Sequence, residues 1–192
     1  MERPNAWLTY SDADMQDLET VAKKYRHFLN VGKTERECIT QIVKEAEEAG
    51  YVSLEEKVKN GEDLKAGDKV YQVGMQKIIA LYHIGEDDLE QGMNILCAHI
   101  DSPRLDIKQN PLYEDTDLAY LDTHYYGGVK KYQWVALPMA MHGVIVKKDG
   151  TVVNVTVGED EDDPVLYITD LLIHLAGQQM AKKASEAVEG EK

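Results

Sequence analysis

Ile78-Ile79-Ala80-Leu81-Tyr82-His83-Ile84 and, beyond an acidic loop, Asn94-Ile95-Leu96-Cys97-Ala98-His99-Ile100 are the two runs on which the fold class turns. Both are apolar almost throughout. A strand with one wet face alternates apolar and polar residues, whereas a short continuous apolar run fits a strand covered on both faces. A further run over 69–73 has strand composition, and Gly-containing loops separate the three.

Upstream the period changes from two to three and four. Met15, Leu18, Val21, Ala22, Tyr25, Phe28 and Leu29 line one face of an amphipathic helix that starts near Ser11 and stops before Gly32. Thr34-Glu35-Arg36-Glu37 has the form of a capping box, with Thr34 as N-cap and Glu37 at the third helical position. Cys38, Ile42, Val43, Ala46 and Ala49 continue that second helix, and Gly50 is a fitting stop. Helices beside strands covered on both faces predict an α/β architecture. Further strands are expected over 105–108 and 118–125, interrupted at the turn-prone Asn110-Pro111.

A second unit is expected from Pro138, dividing the chain into 1–137 and 138–192. Runs over 142–148 and 151–158 are β-branched and joined by Asp149-Gly150, a two-residue hairpin signal. The acidic run Glu159-Asp160-Glu161-Asp162-Asp163 lacks the spacing of an EF-hand and reads as a solvated connection. From Asp170, the residues Leu171, Leu172, Leu175, Ala176 and Met180 predict another amphipathic helix, followed by a polar tail over 185–192. One hairpin and one helix bury little, so this unit reads as cut short.

Composition bounds the function. The chain has 192 residues, 43% of them apolar, which is enough for a packed core. Its 35 acidic and 21 basic side chains give a formal net charge of -14, which repels phosphate backbones and argues against nucleic acid as a partner. No apolar run approaches the roughly 18 residues that span a bilayer, so no membrane partner is expected. Cys38, on a helical pattern, and Cys97, on the 94–100 strand, make no disulfide framework; they read as packed thiols of a cytoplasmic protein. Neither a phosphate-binding glycine loop nor a Gly-x-Ser-x-Gly elbow is present.

The chemistry concentrates where the 94–100 run ends, at Ala98-His99-Ile100-Asp101-Ser102-Pro103-Arg104. In an extended chain residues i and i+2 point to one side, so His99 and Asp101 can act on one object. A neutral imidazole is a common zinc ligand, and a neighbouring carboxylate orients the ring and raises its basicity. Of the other histidines, His124 is assigned to aromatic packing and His142 to a structural role, while His27 and His83 have no convincing partner in the pattern.

Three segments taken together resemble the aspartyl aminopeptidase and vacuolar aminopeptidase I family of zinc metallopeptidases. They are His99-Ile100-Asp101-Ser102-Pro103-Arg104-Leu105, Asn110-Pro111-Leu112-Tyr113-Glu114-Asp115, and the run from Leu121 through His124-Tyr125-Tyr126-Gly127-Gly128 to Trp134. Lys33-Thr34-Glu35-Arg36-Glu37-Cys38 and Gly67-Asp68-Lys69-Val70-Tyr71 add to the likeness, which runs from the first helix to about Gly190. It implies the amino-terminal part of an α/β/α catalytic domain, followed by the first part of an inserted β-rich dimerisation domain.

The resemblance also implies roles. His99 would ligate one of two active-site metals and Asp101 would support it. His174, in Ile168-Thr169-Asp170-Leu171-Leu172-Ile173-His174, would reach from the dimerisation domain into a neighbouring subunit's active site, where a donor near the scissile carbonyl stabilises developing charge. The implied activity is removal of amino-terminal residues, Asp or Glu by the family name, from peptide substrates. The implied cofactor is Zn2+, two ions per site, with Co2+ or Mn2+ as alternatives. The implied assembly is a dimer-based homo-oligomer, up to a dodecamer. The remaining ligands and the general base would lie outside these 192 residues, so the expectation is a fragment inactive by itself. The competing expectation is a non-catalytic oligomerisation or scaffold module derived from such an enzyme. A different binuclear zinc hydrolase, such as a deacylase, fits the 125–134 segment less well.

Overall fold

A computed structural model describes residues 3–189, so the last three residues of the polar tail lie outside the described residues. The chain divides into two compact units, 1–101 and 102–192, and the boundary expected at Pro138 falls inside the second.

The first unit opens with two helices, α1 (Asp12–Val31) and α2 (Glu35–Glu48). Both begin with reciprocal caps. Asp14 N–H donates to Ser11 Oγ while Ser11 N–H donates to Asp14 Oδ2; Glu37 and Thr34 repeat the exchange on α2. Satisfying otherwise orphaned N–H groups fixes each start where the sequence places it. Helix α2 carries most of the small core, burying Cys38, Ile39 and Ala46. Helix α1 buries none of its side chains fully.

After α2 come β1 (Val52–Ser53), α3 (Leu54–Asn60), β2 (Lys69–Gly74) and β3 (Ile78–His83). They form one sheet in the order β1-β2-β3, with β1 parallel and β3 antiparallel to β2. Val70 on β2 is fully buried, Tyr71 Oη donates to Glu47 on α2 at 2.8 Å, and Lys69 Nζ donates to the Ala49 carbonyl at the end of α2 at 3.1 Å. These contacts bind the sheet to the helix.

The expected strand over 94–100 is not formed: residues 92–103 carry no regular secondary structure. Ile95 and Leu96 are exposed, and Cys97, expected in a buried strand, is exposed as well. An apolar strand covered on both faces exists only with neighbours on either side. Among the described residues no strand pairs with this one.

The second unit holds two antiparallel ribbons. In the first, β4 (Arg104–Asp115) pairs with β5 (Leu118–Tyr126) around Thr116-Asp117, both in the left-handed region. Strand β4 runs straight through Asn110-Pro111, where an interruption was expected. The pairing shifts register between Ile107 and Leu112 instead, which accommodates a residue that has no N–H to give. In the second ribbon β6 (Met141–Val146) pairs with β7 (Val152–Val157). The Asp-Gly signal marks this turn, but the loop is longer than two residues. Lys147 N–H donates to the Thr151 carbonyl, leaving Lys148, Asp149 and a left-handed Gly150 (φ 85°) between them.

The helix expected over 170–180 shrinks to α4 (Gly177–Met180). Leu171, Leu172, Ile173 and Leu175 are exposed. A short amphipathic helix draws its stability from what its apolar face packs against. Here the Asp170 carboxylate instead accepts from Leu171 N–H and Gln179 Nε2, holding the segment in turns. The mixed α/β class expected from the sequence is present.

Candidate functional site

His99 and Asp101 are adjacent in space as well as in sequence. His99 Nδ1 lies 3.0 Å from the Asp101 carbonyl oxygen and 3.2 Å from its Oδ1. Both partners are acceptors, so the contact selects the tautomer with the proton on Nδ1 and leaves the Nε2 lone pair for a metal. The ring is 83% exposed, so nothing in the unit hides that nitrogen. A carboxylate beside an imidazole is the arrangement by which a histidine ligand is oriented.

The helix behind this loop contributes as well. Cys38 on α2 is buried, and its Sγ lies 3.9 Å from the Ile100 carbonyl, between the ligand candidate and its support. Nothing in the sequence signalled this contact, which joins residues 62 positions apart.

The donor set sets a limit. A catalytic zinc ion ordinarily takes about three protein ligands. Among the described residues no group of three or more His, Cys, Asp or Glu side chains could hold a metal. His99 with Asp101 therefore fits a single coordination position with its supporting carboxylate.

His174 lies in the second unit, in the turn before α4 rather than on a helix, and is exposed among exposed Leu172, Ile173 and Leu175. His124 stacks on Tyr125, with ring centroids 5.1 Å apart, and Arg104 lies 4.0 Å over the Tyr126 ring. His142 Nε2 meets Glu159 Oε1 at 3.0 Å and ties β6 to the acidic loop. Asp163 closes that loop, accepting from the Gly158 and Asp160 N–H groups, and these bonds hold its carboxyl below the usual carboxylate range. The acidic run is thus a hydrogen-bonded connection, as its spacing implies.

Against known proteins, the model of the aminopeptidase I zinc metalloprotease family (M18) matches residues 28–191. The chain belongs to the M18 family. A relative named "Probable M18 family aminopeptidase 1" from Clostridium acetobutylicum is 56% identical over 190 residues, covering 99% of this chain and 41% of the relative. The crystal structure of an M18-family aminopeptidase from Thermotoga maritima matches with a TM-score of 0.88 at 41% identity, over 100% of this chain and 40% of that one. The crystal structure of aminopeptidase I from Clostridium acetobutylicum matches with a TM-score of 0.85 at 53% identity, over 100% of this chain and 42% of that one. This M18 chain thus spans about two-fifths of the length of the relatives it matches. No helix among its described residues is long and apolar enough to cross a membrane.

Proposed function

We propose that this M18 chain is the amino-terminal part of a metal-dependent aminopeptidase that removes single residues from the free amino end of peptides. The observation that carries the reading is the His99–Asp101 pair, whose Nδ1 contacts at 3.0 and 3.2 Å present Nε2 as a ligand. In this reading His99 is one metal ligand and Asp101 fixes its ring, while the partner ligands and the general base come from residues beyond this chain. When bound, the zinc supplies polarisation of the scissile carbonyl and activation of the attacking water. The same reading takes two ions per site, Zn2+ by default with Co2+ or Mn2+ as alternatives, and acidic amino-terminal residues as substrate.

His174 is assigned to a neighbouring subunit's site in a dimer-based homo-oligomer. Its exposure, in a turn flanked by exposed leucines, supports a residue meant to meet another surface. The stretch from Pro138, with its β6–β7 ribbon, is assigned to the start of an inserted dimerisation unit. The second reading is a scaffold without catalysis, derived from such an enzyme.

The two readings part in a simple assay. The full-length protein carrying this sequence is incubated with a peptide bearing a free amino terminus and with its N-acetylated twin, with and without a chelator. Stepwise loss of residues from the free peptide alone, stopped by chelation, is the expected result. No cleavage of either peptide by a metal-loaded, folded protein would leave the scaffold reading.

A further inference from the structure

We infer that Cys38 is a positioning residue for the candidate metal ligand: its thiol, seated on α2, holds the Ile100 carbonyl and so fixes the backbone between His99 and Asp101. This rests on the assignment of His99 as a ligand. Among the described residues no strand pairs with the segment 92–103, and the Cys38 thiol is a contact that ties it to α2. Cys38 Sγ lies 3.6 Å from the Gly32 carbonyl and 3.9 Å from the Ile100 carbonyl, so both acceptors are within reach of its single S–H. Cys38 is 5% exposed, so its thiol contacts are largely shielded from solvent. Burial, with Glu37 and Glu35 nearby, pushes the thiol up, so it stays an S–H donor at neutral pH.

The seat for this thiol is cut close. A Cβ on Gly32 would lie 2.9 Å from Cys38 Sγ and 3.1 Å from the Phe28 carbonyl. Glycine at the end of α1 thus gives the sulfur room to face both carbonyls. Because His99 pairs with Asp101 across two backbone steps, a shift of Ile100 changes the ring's angle to its support. Metal affinity responds to such supports by roughly 10- to 100-fold.

The test compares the full protein with Cys38→Ala, Cys38→Ser and Gly32→Ala. Two quantities are read: amide hydrogen exchange across 98–102 and across α2 in the metal-free protein, and metal affinity by chelator competition. Expected for Cys38→Ala are at least about tenfold faster exchange across 98–102, unchanged exchange in the middle of α2, and about tenfold weaker metal binding. Cys38→Ser keeps a donor and should recover most of both. Gly32→Ala, which displaces the sulfur without removing it, should move both in the same direction as Cys38→Ala.

Unchanged exchange across 98–102 in both Cys38→Ala and Gly32→Ala overturns the proposal. So does an exchange increase spread equally over α2 with no recovery in Cys38→Ser, which is the signature of a purely structural thiol. A His99→Ala control separates the two readings. If that variant keeps full metal affinity, the ligand assignment fails, while the exchange data still decide whether Cys38 anchors the loop.

Discussion

At the scale of single residues, the His99 ring has one nitrogen engaged by Asp101 and the other free to bind. Asp101→Ala removes the carboxylate contact at 3.2 Å but leaves the backbone carbonyl at 3.0 Å. Metal affinity should therefore fall about 10- to 100-fold rather than vanish, as measured by chelator competition. An unchanged affinity would mean that the carboxylate does not support the ring. His174→Ala should lower turnover while metal content stays the same; loss of metal in that variant would place His174 at the metal instead of across the subunit boundary. The pairing of His99 with Asp101 was legible in the sequence because a spacing of two in an extended chain is local geometry. The Cys38–Ile100 contact was not, since it depends on how α2 and the 92–103 segment pack, and no local pattern encodes that.

At the scale of elements, legibility follows the same division. Helices α1 and α2 begin at Ser11 and Thr34 as expected because side-chain caps are short-range signals, made by residues three apart. Thr34→Ala should destabilise the first unit by about 1 kcal/mol in urea unfolding, with Cys38 losing burial as the first turn frays. The 94–100 strand and the 170–180 helix are patterned as the sequence says but unformed or shortened, because each needs an apolar partner outside the segment. Tyr71 offers a pH readout for the contact between β2 and α2. Its hydrogen bond to Glu47, with desolvation and the Glu47 charge, pushes the phenol up from 10.0 to about 12. A group whose pKa is raised on folding stabilises fully below its unfolded value, so this contribution is intact below pH 10 and lost as pH rises from 10 to 12. Unfolding midpoints of the wild type should fall across that window, and Tyr71→Phe should flatten the fall. An equal slope in both proteins would refute the assignment.

At the scale of the whole molecule, apolar surface is the dominant feature. Leu96 and Met75 are almost wholly exposed and Leu171, Leu172, Ile173 and Leu175 more than half exposed, while the fully buried apolar residues are few among the described residues. Exposed large apolar side chains in this number suit contact with another surface better than contact with water. The 192-residue chain by itself should bind a hydrophobic dye and self-associate. Salt should promote the association by screening the charge of -14. A monodisperse, dye-silent chain at high salt would contradict this. The role of His99 as a ligand is tested by the metal-to-protein ratio of the full-length protein in native mass spectrometry, compared with that of His99→Ala at equal fold content. The variant should lose metal at one site together with peptide cleavage. Full metal occupancy with retained cleavage in His99→Ala would contradict it.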